Sequence, residues 1–374
     1  MFLPKYNITN EIAQNLMRIE RSNIIVEHLP LPASILQSLQ RQSRENTVIL
    51  STKIEGNKLE EHKKREALYE KSDSGAEQEV YNLMKALEYL DQCEARQLPI
   101  TEELIKKLHA IIQVIVYGRR PRVSEYRIGQ NQVGKRNQVG YYLPPEPSDV
   151  SVLMEDLAAW VNSKNAYDIP APIKAGIFMW QFLTIHPYMD GNGRTARMLS
   201  TYILRLEGLG LKGLFVLESF YDRNLNDYYK SIQMGLSHNY YFGRNNADLT
   251  EWIDFFIKGL ADVFEEAANV VQEKSHEYMA VEPDLIRELD PGQRIVFAML
   301  AFNSNWASTS DLRKWLNLSD RTIRDKVKKW INTGFLVPRV EDAKRIRSVT
   351  LALPYKKLAE QIRREPDKYK YLLK

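Results

Sequence analysis

His186 to Arg197 reads HPYMDGNGRTAR, which places an imidazole, a carboxylate, two glycines around an asparagine and two guanidinium groups in one short run. His186 is the one group there whose ordinary pKa lies near neutrality, which suits a general base. Asp190 offers a hard oxygen of the kind Mg²⁺ takes when it shares its shell with phosphates. Gly191, Asn192 and Gly193 let the main chain turn tightly and leave N–H groups open to an anion, and a helix N-terminus would add its dipole. Arg194 and Arg197, three residues apart, point to one side of the first helical turn. Two planar forks beside such a nest suit a polyphosphate better than a single phosphate. Taken singly, the glycines read as an ordinary turn and His186 as a buried polar residue at a helix end; taken together, the run reads as equipment for moving a nucleotide. The P-loop pattern GxxxxGK(S/T) is absent.

The elements around the run must hold it at a site edge. Ile173, Ile177, Phe178, Phe182 and Ile185 recur at helical spacing and predict a buried helix that delivers His186 and stops at Pro187. Met198, Leu199, Tyr202, Ile203 and Leu206 predict a second buried helix, with Gly208 as its stop.

The run closely resembles the signature of the Fic family of nucleotide transferases, HPFx(D/E)GNGRxxR, with Tyr188 in place of the usual phenylalanine. The resemblance implies that His186 deprotonates a hydroxyl on a target protein, that Asp190 holds Mg²⁺, and that the nest with Asn192 cradles the α- and β-phosphates of ATP. Arg194 would grip the β-phosphate and Arg197 the γ-phosphate. Attack on the α-phosphorus would then transfer AMP to a Tyr, Thr or Ser side chain, on a target or on the chain itself. The implied fold is mainly α: a Fic-type helical bundle with a β-hairpin flap, plus a C-terminal winged helix-turn-helix domain.

Upstream, Arg119 to Pro145 predicts a hairpin that turns at Gly134-Lys135-Arg136-Asn137 and ends at Tyr141, Tyr142 and Leu143. By resemblance it is the flap that holds an extended target segment over the site, and strand addition explains how it could align different targets. Without the resemblance it is equally a surface hairpin. Downstream, in YDRNLNDYY, the resemblance points to Asn224, Tyr228 and Tyr229 as contacts to the ribose or adenine. Paired tyrosines on a helix are otherwise core-edge packing. Trp252, Phe255 and Phe256 read as core.

Ser51-Thr-Lys-Ile-Glu55-Gly56 reads as the last turn of a helix with Gly56 in the left-handed cap. A glutamate in that turn opposes the helix dipole and needs a reason to be there; solvation is the plain one. The segment also matches (S/T)xxxE(G/N), the motif of Fic proteins that carry an N-terminal inhibitory helix. The resemblance implies that Glu55 pairs with Arg197 and denies it to the γ-phosphate, while Ser51 braces the helix.

The chain has 374 residues, 44% of them hydrophobic, ample for a core and two or three domains. Cys93 is the single cysteine, which excludes an internal disulfide framework, and the histidines show no zinc spacing. The absence of a signal-like segment or a bilayer-length apolar run leads to the expectation of a cytoplasmic protein without membrane contact. Residues 1–80 read as an N-terminal helical region entered through His28-Leu29-Pro30-Leu31-Pro32. Residues 81–265 read as the catalytic domain, 266–284 as a linker and 285–374 as the winged-helix domain.

From 284 onward 20 Lys and Arg face 11 Asp and Glu, so the net +4 of the chain conceals a basic tail. Thr309 opens a short helix, Ser319 caps a second one bearing Ile323, Val327, Trp330 and Ile331, and Gly334 ends it. Phe335–Val337 and Ile346–Leu353 read as two strands around Asp342-Ala343-Lys344-Arg345. Arg321, Thr322, Arg324 and Lys328 would face away from the core of the second helix, where a DNA reader places them; a protein or homodimer contact is the equal alternative. Three functions stay open: a protein adenylyltransferase restrained by Glu55, an enzyme that removes AMP with Glu55 orienting water, and a DNA-binding regulator whose Fic part senses nucleotide.

Overall fold

A computed structural model describes residues 2–72, 74–114, 122–134, 141–281, 283–340, 346–364, 366 and 369, with the backbone alone for 277–281. Two compact units emerge, one of residues 1–29 and 38–272, the other of 30–37 and 273–374. Both are mainly helical.

The first unit is built on α1 (Asn10–His28), most of α2 (Ala33–Ile54), α3 (Glu61–Ala67), α4 (Gly75–Ala95), α5 (Glu102–Ile112), α6 (Pro147–Val161), α7 (Lys164–Tyr167), α8 (Ala171–Ile185), α9 (Asn192–Leu206), α10 (Leu217–Arg223), α11 (Leu225–Gln233) and α12 (Thr250–Val281) as far as Gln272. Helix α8 is the hub. Its apolar residues are spread around the whole cylinder, so it must be enclosed on all sides. Ile173, Ala175, Ile177, Phe178, Phe182 and Ile185 are fully buried, and α8 packs on α6 and α9. Gly176 brings α12 close: a Cβ there would touch the Phe256 ring at 3.0 Å, and Trp252 Nε1 donates to the Gly176 carbonyl at 2.7 Å. Trp252 and Phe256 are core, whereas Phe255 is only half-buried.

Most of the N-terminal region expected over 1–80 lies in the same unit as the expected catalytic domain. The expected linker 266–284 is helical as far as Val281, continuing α12 without a break. At the end of α2, Gly56 adopts φ +89; its N–H donates to the Lys53 carbonyl and that of Asn57 to the Thr52 carbonyl, the pairing of a Schellman cap.

The second unit contains α13 (Asp284–Arg287), α14 (Pro291–Phe302), β1 (Ala307–Ser308), α15 (Thr309–Leu316), α16 (Asp320–Asn332), β2 (Leu336–Pro338), β3 (Ser348–Leu351) and α17 (Leu353–Arg364). The strands form an antiparallel sheet in the order β1-β3-β2, with Ala307 opposite Val349 and Leu336 opposite Leu351. Ser308 and Ser319 cap α15 and α16 through their hydroxyls. Asn317 turns the chain between these helices at φ 51, and Gly334 follows α16 at φ +73. Val296, Phe297, Leu312, Ile323, Val327, Trp330 and Val349 share one core. The last strand is shorter than expected because Leu353 already opens α17; Asp342–Arg345 lie outside the described residues.

Candidate active site

His186 is the C-cap of α8 and has left-handed dihedrals, φ 51 and ψ 59. Pro187 has no N–H with which to continue the helix. The ring Nδ1 lies 3.4 Å from the Leu183 carbonyl. A carbonyl can only accept, so this long contact places the proton on Nδ1 and the free lone pair on Nε2. Burial lowers the pKa to about 4, with the Leu183 carbonyl, Glu55 and Asp190 opposing the shift and Arg127 reinforcing it. The imidazole is therefore neutral at pH 7 and free to accept a proton.

Four residues on, Asp190 projects to solvent with one oxygen 2.9 Å from Arg194 Nη2. Burial pushes its carboxyl up, but Arg194, the Gly191 N–H and His109 outweigh that and hold it below its ordinary value. Gly191 follows with φ +81, and its carbonyl takes the Thr195 N–H, the first intrahelical bond of α9. The N–H groups of Asn192, Gly193 and Arg194 therefore face the helix end without an intrahelical partner. The Asn192 side chain is committed to the loop itself. Its Oδ1 accepts from the Tyr188 N–H and its Nδ2 donates to the Tyr188 carbonyl, stapling the loop, so only its backbone remains for an anion.

The loop rests on a residue that sequence reasoning passed over. His109, on α5, donates from Nε2 to the Asp190 carbonyl at 2.8 Å and accepts from the Ser124 hydroxyl at 2.7 Å. Its ring stacks on Tyr188 with centroids 3.5 Å apart. A Cβ at Gly191 would meet its Nε2 at 3.1 Å. That close approach and the positive φ both require glycine at 191.

The two arginines are buried and already held. Arg197 Nη2 lies 2.8 Å from Glu55 Oε1, with side-chain exposures of 1% and 29%. Its Nε donates to the Ser51 hydroxyl at 3.0 Å and Nη2 to the Ser51 carbonyl at 3.1 Å. Arg194 pairs through Nη1 with Glu79, a residue of α4 that no local pattern marks, and through Nη2 with Asp190. Glu55, Gly193, Arg197, His186, Tyr228 and Tyr229 line one cavity of about 110 Å³. Tyr229 reaches back to the Ile54 carbonyl at 3.3 Å, and Tyr228 is buried against Tyr221. Asn224 is not among the residues lining this cavity. Its Nδ2 donates to the Phe220 carbonyl, and it borders a separate open basin with Arg223 and Lys258.

The segments expected to form the flap meet, among the described residues, at one antiparallel bridge, Val133 with Tyr142; residues 135–140, with most of the expected turn, lie outside the described residues. Arg127 ties these segments together at their base. It donates to the His186, Gly129 and Pro145 carbonyls and to Gln130, whose own amide reaches Pro144. On its far side the strand 141–143 is already paired: Leu143 exchanges bonds with His238 and Tyr240, and the Tyr141 carbonyl accepts from His238. Among the described residues, the edge left to take another strand is therefore that of 132–134, not that of Tyr141–Leu143. Buried Arg244 lies over the Tyr142 ring and completes this wall.

Residues 99–204 match the model of the Fic/DOC family. The chain is 30% identical over 130 residues to protein adenylyltransferase Fic of Drosophila virilis and 31% over 130 to that of Drosophila willistoni, stretches that cover 35% of this chain. It spans about a quarter of the length of these curated relatives, 25% and 24%. A Fic family protein from Desulfovibrio desulfuricans G20 superposes with a TM-score of 0.59 at 22% identity, covering 94% of this chain and 98% of that one. A Fic domain containing signaling protein from Bacteroides thetaiotaomicron superposes at 0.57 and 19% identity, over 70% of this chain and 98% of that one. Residues 99–204 are therefore a Fic domain, in a chain whose fold is shared with Fic proteins of known structure.

Proposed function

We propose that the protein is an adenylyltransferase that moves AMP from ATP to a hydroxyl of a target protein, or of itself, and that Glu55 restrains it. The observation that carries this reading is that His186 and Arg197 line one cavity with Glu55 already bonded to the arginine. In the transfer, the target hydroxyl gives its proton to His186 Nε2 as its oxygen attacks the α-phosphorus. The bond from that phosphorus to the β-phosphate bridging oxygen breaks, and pyrophosphate leaves. Negative charge brought in by the nucleotide raises the His186 pKa toward neutrality, where a general base works best. The open N–H groups at the start of α9, with Arg194 and Arg197, stabilise the charge that develops on the phosphates.

Asp190 fits a Mg²⁺ ion. It is a single ionised carboxylate that projects to solvent, and no cluster of three His, Cys, Asp or Glu suited to a metal cage exists among the described residues. Such a site suits a cation shared with substrate phosphates, where the ion would neutralise phosphate charge. The target segment would add to the 132–134 edge of the flap through main-chain bonds. With Glu55 in place, Arg197 cannot take a γ-phosphate, so basal transfer is low. The same placement of Glu55 beside His186 suits orienting a water to remove AMP from a modified protein.

Mass spectrometry after incubation with ATP and Mg²⁺ tests the reading on wild type, Glu55→Gly and Glu55→Gly with His186→Ala. An AMP adduct that grows in the single variant and disappears in the double one supports transfer and restraint together. No adduct, with a target-rich extract supplied, sinks the transfer reading; loss of AMP from a modified protein would favour removal instead.

A second reading concerns the second unit. Its order of helix, strand, helix, helix, strand and strand supports a winged helix-turn-helix, and Arg321, Thr322, Arg324 and Lys328 are exposed on α16 as a nucleic-acid reader requires. Retention of duplex DNA that falls steeply with salt, and falls further in an Arg321→Ala, Arg324→Ala, Lys328→Ala variant, tests it. Equal retention by that variant would leave a protein or homodimer contact as the use of this face.

A further inference from the structure

Glu79 uses its two oxygens on different parts of the site. Oε1 takes Nη1 of Arg194, and Oε2 accepts from Asn57 Nδ2 at 2.7 Å. Asn57 is the residue whose N–H closes the end of α2 onto Thr52, directly after the turn that carries Glu55. It is also fixed on its other groups. Its Nδ2 reaches the Ala76 carbonyl at 2.9 Å, its Oδ1 accepts from Leu59 N–H, and its carbonyl accepts from the buried Lys64 ammonium at 3.1 Å. One carboxylate thus joins the first signature arginine to the cap of the helix that bears Glu55.

We propose that Glu79 is a positioning residue, which holds Arg194 for the β-phosphate and couples that arginine to the inhibitory end of α2. The proposal rests on the AMP-transfer reading above. Arg194 has a side chain only 5% exposed, and its two acidic partners differ: the Asp190 side chain is 83% exposed, that of Glu79 only 14%. A pair held away from solvent fixes a guanidinium far better than one at the surface. Arg194 Nε is buried and has no partner among the described residues. The guanidinium therefore has Nη1 committed to buried Glu79, while the exposed Asp190 on Nη2 is the partner a phosphate could replace, the use for which a planar fork is suited. Because both oxygens belong to one side chain, displacement of the α2 cap pulls on the group that orients Arg194, and a ligand that draws Arg194 forward pulls on the cap.

The test uses the full chain and compares ADP with AMP, which lacks the phosphate that Arg194 would grip. In the Glu55→Gly background, Glu79→Gln is expected to weaken ADP binding by about tenfold, as measured by isothermal titration, while AMP affinity changes by less than about twofold. Glu79→Asp, which keeps the charge but cannot reach both partners, should fall between. In the chain with Glu55 intact, Asn57→Ala is expected to raise AMP transfer severalfold by loosening the cap. In the Glu55→Gly background the same change, which frees Glu79 Oε2, should lower the ADP-to-AMP affinity ratio, though by less than Glu79→Gln does; a ratio left unchanged, or no rise in transfer in the chain with Glu55 intact, overturns the coupling. Thermal melting of each variant separates loss of fold from loss of positioning, and Glu79→Asp serves if Glu79→Gln does not fold.

If Glu79→Gln leaves ADP affinity unchanged, tightens it, or weakens ADP and AMP alike, Glu79 does not position Arg194 and the proposal is overturned. If Glu55→Gly itself neither binds ADP nor transfers AMP, the transfer reading fails and this proposal falls with it. If it does both and Glu79→Gln behaves identically, only the role of Glu79 is lost.

Discussion

The Glu55 carboxylate rests against the backbone of Gly193. A Cβ added at 193 would overlap Glu55 Oε1, and would stand 3.0 Å from Glu55 Cδ and 3.1 Å from Arg197 Nη1. Gly193→Ala is therefore expected to destabilise the wild-type chain by roughly 1–3 kcal/mol, the usual cost of overpacking. In the Glu55→Gly background most of the obstruction is gone, so the same alanine should cost far less. Melting temperatures of the four proteins give the coupling directly. Equal losses in both backgrounds would mean that Glu55 does not sit on Gly193 in solution.

Removing Glu55 leaves the Arg197 guanidinium buried without its carboxylate. Breaking a fully buried pair costs about 3–5 kcal/mol, but Glu55 is 29% exposed, which reduces the loss to about 1–2 kcal/mol. Glu55→Gly should thus melt below wild type and recover, on adding ATP, more than wild type gains, because the phosphates replace the lost anion. A variant that melts with wild type and gains nothing from ATP contradicts this.

His109 and His186 both have pKa values lowered to about 4 by burial, with smaller opposing contributions from neighbouring carbonyls and carboxylates. An unfolded histidine titrates near 6.5, so between pH 6.5 and 4 the unfolded chain binds more protons than the folded one. Stability then rises with pH across that window and is lost as pH falls through it. The melting temperature should drop from pH 7 to pH 5, before most carboxylates titrate. His109→Gln, which removes one of the two groups, should show a shallower drop. Parallel curves for the variant and wild type would place His109 in a solvated, titrating environment instead.

The Tyr188 hydroxyl is buried and has no hydrogen-bond partner among the described residues. Tyr188→Phe restores the residue usual in the Fic signature and removes an unsatisfied polar group while keeping the stack on His109. It should be neutral or stabilising by about 1 kcal/mol, with AMP transfer unchanged in the Glu55→Gly background. A loss of more than that would show that the hydroxyl has a partner in solution.

The parts of the candidate site that were legible in sequence are those that lie in short contiguous runs. The run from His186 to Arg197 is contiguous, the helices on either side have clean apolar periodicity, and Glu55 with Gly56 carries a cap signal of its own. Glu79 and His109 were not legible. Each occupies an ordinary position on an amphipathic helix and gains its role only by contacts made across 115 and 81 residues, which leave no local mark. Arg127 and Gln130 were not legible either: buried Arg127 ties to the Pro145 carbonyl and exposed Gln130 to that of Pro144, contacts made across a turn of the chain. Asn224 lies close in sequence to Tyr228 and Tyr229, but the break between α10 and α11 turns its amide to the Phe220 carbonyl, a placement that sequence proximity does not convey.

The residue that ends α8 and the residue proposed to take the proton are the same one, and its left-handed backbone strains most side chains, β-branched ones above all. Inheritance at this position is therefore filtered by geometry as well as by chemistry. A lineage that abandoned catalysis while keeping the scaffold would be expected to settle on asparagine or glycine at 186, since both accept that conformation. Such a replacement would mark a pseudoenzyme, whereas valine or isoleucine there would mark a chain that has also lost the turn.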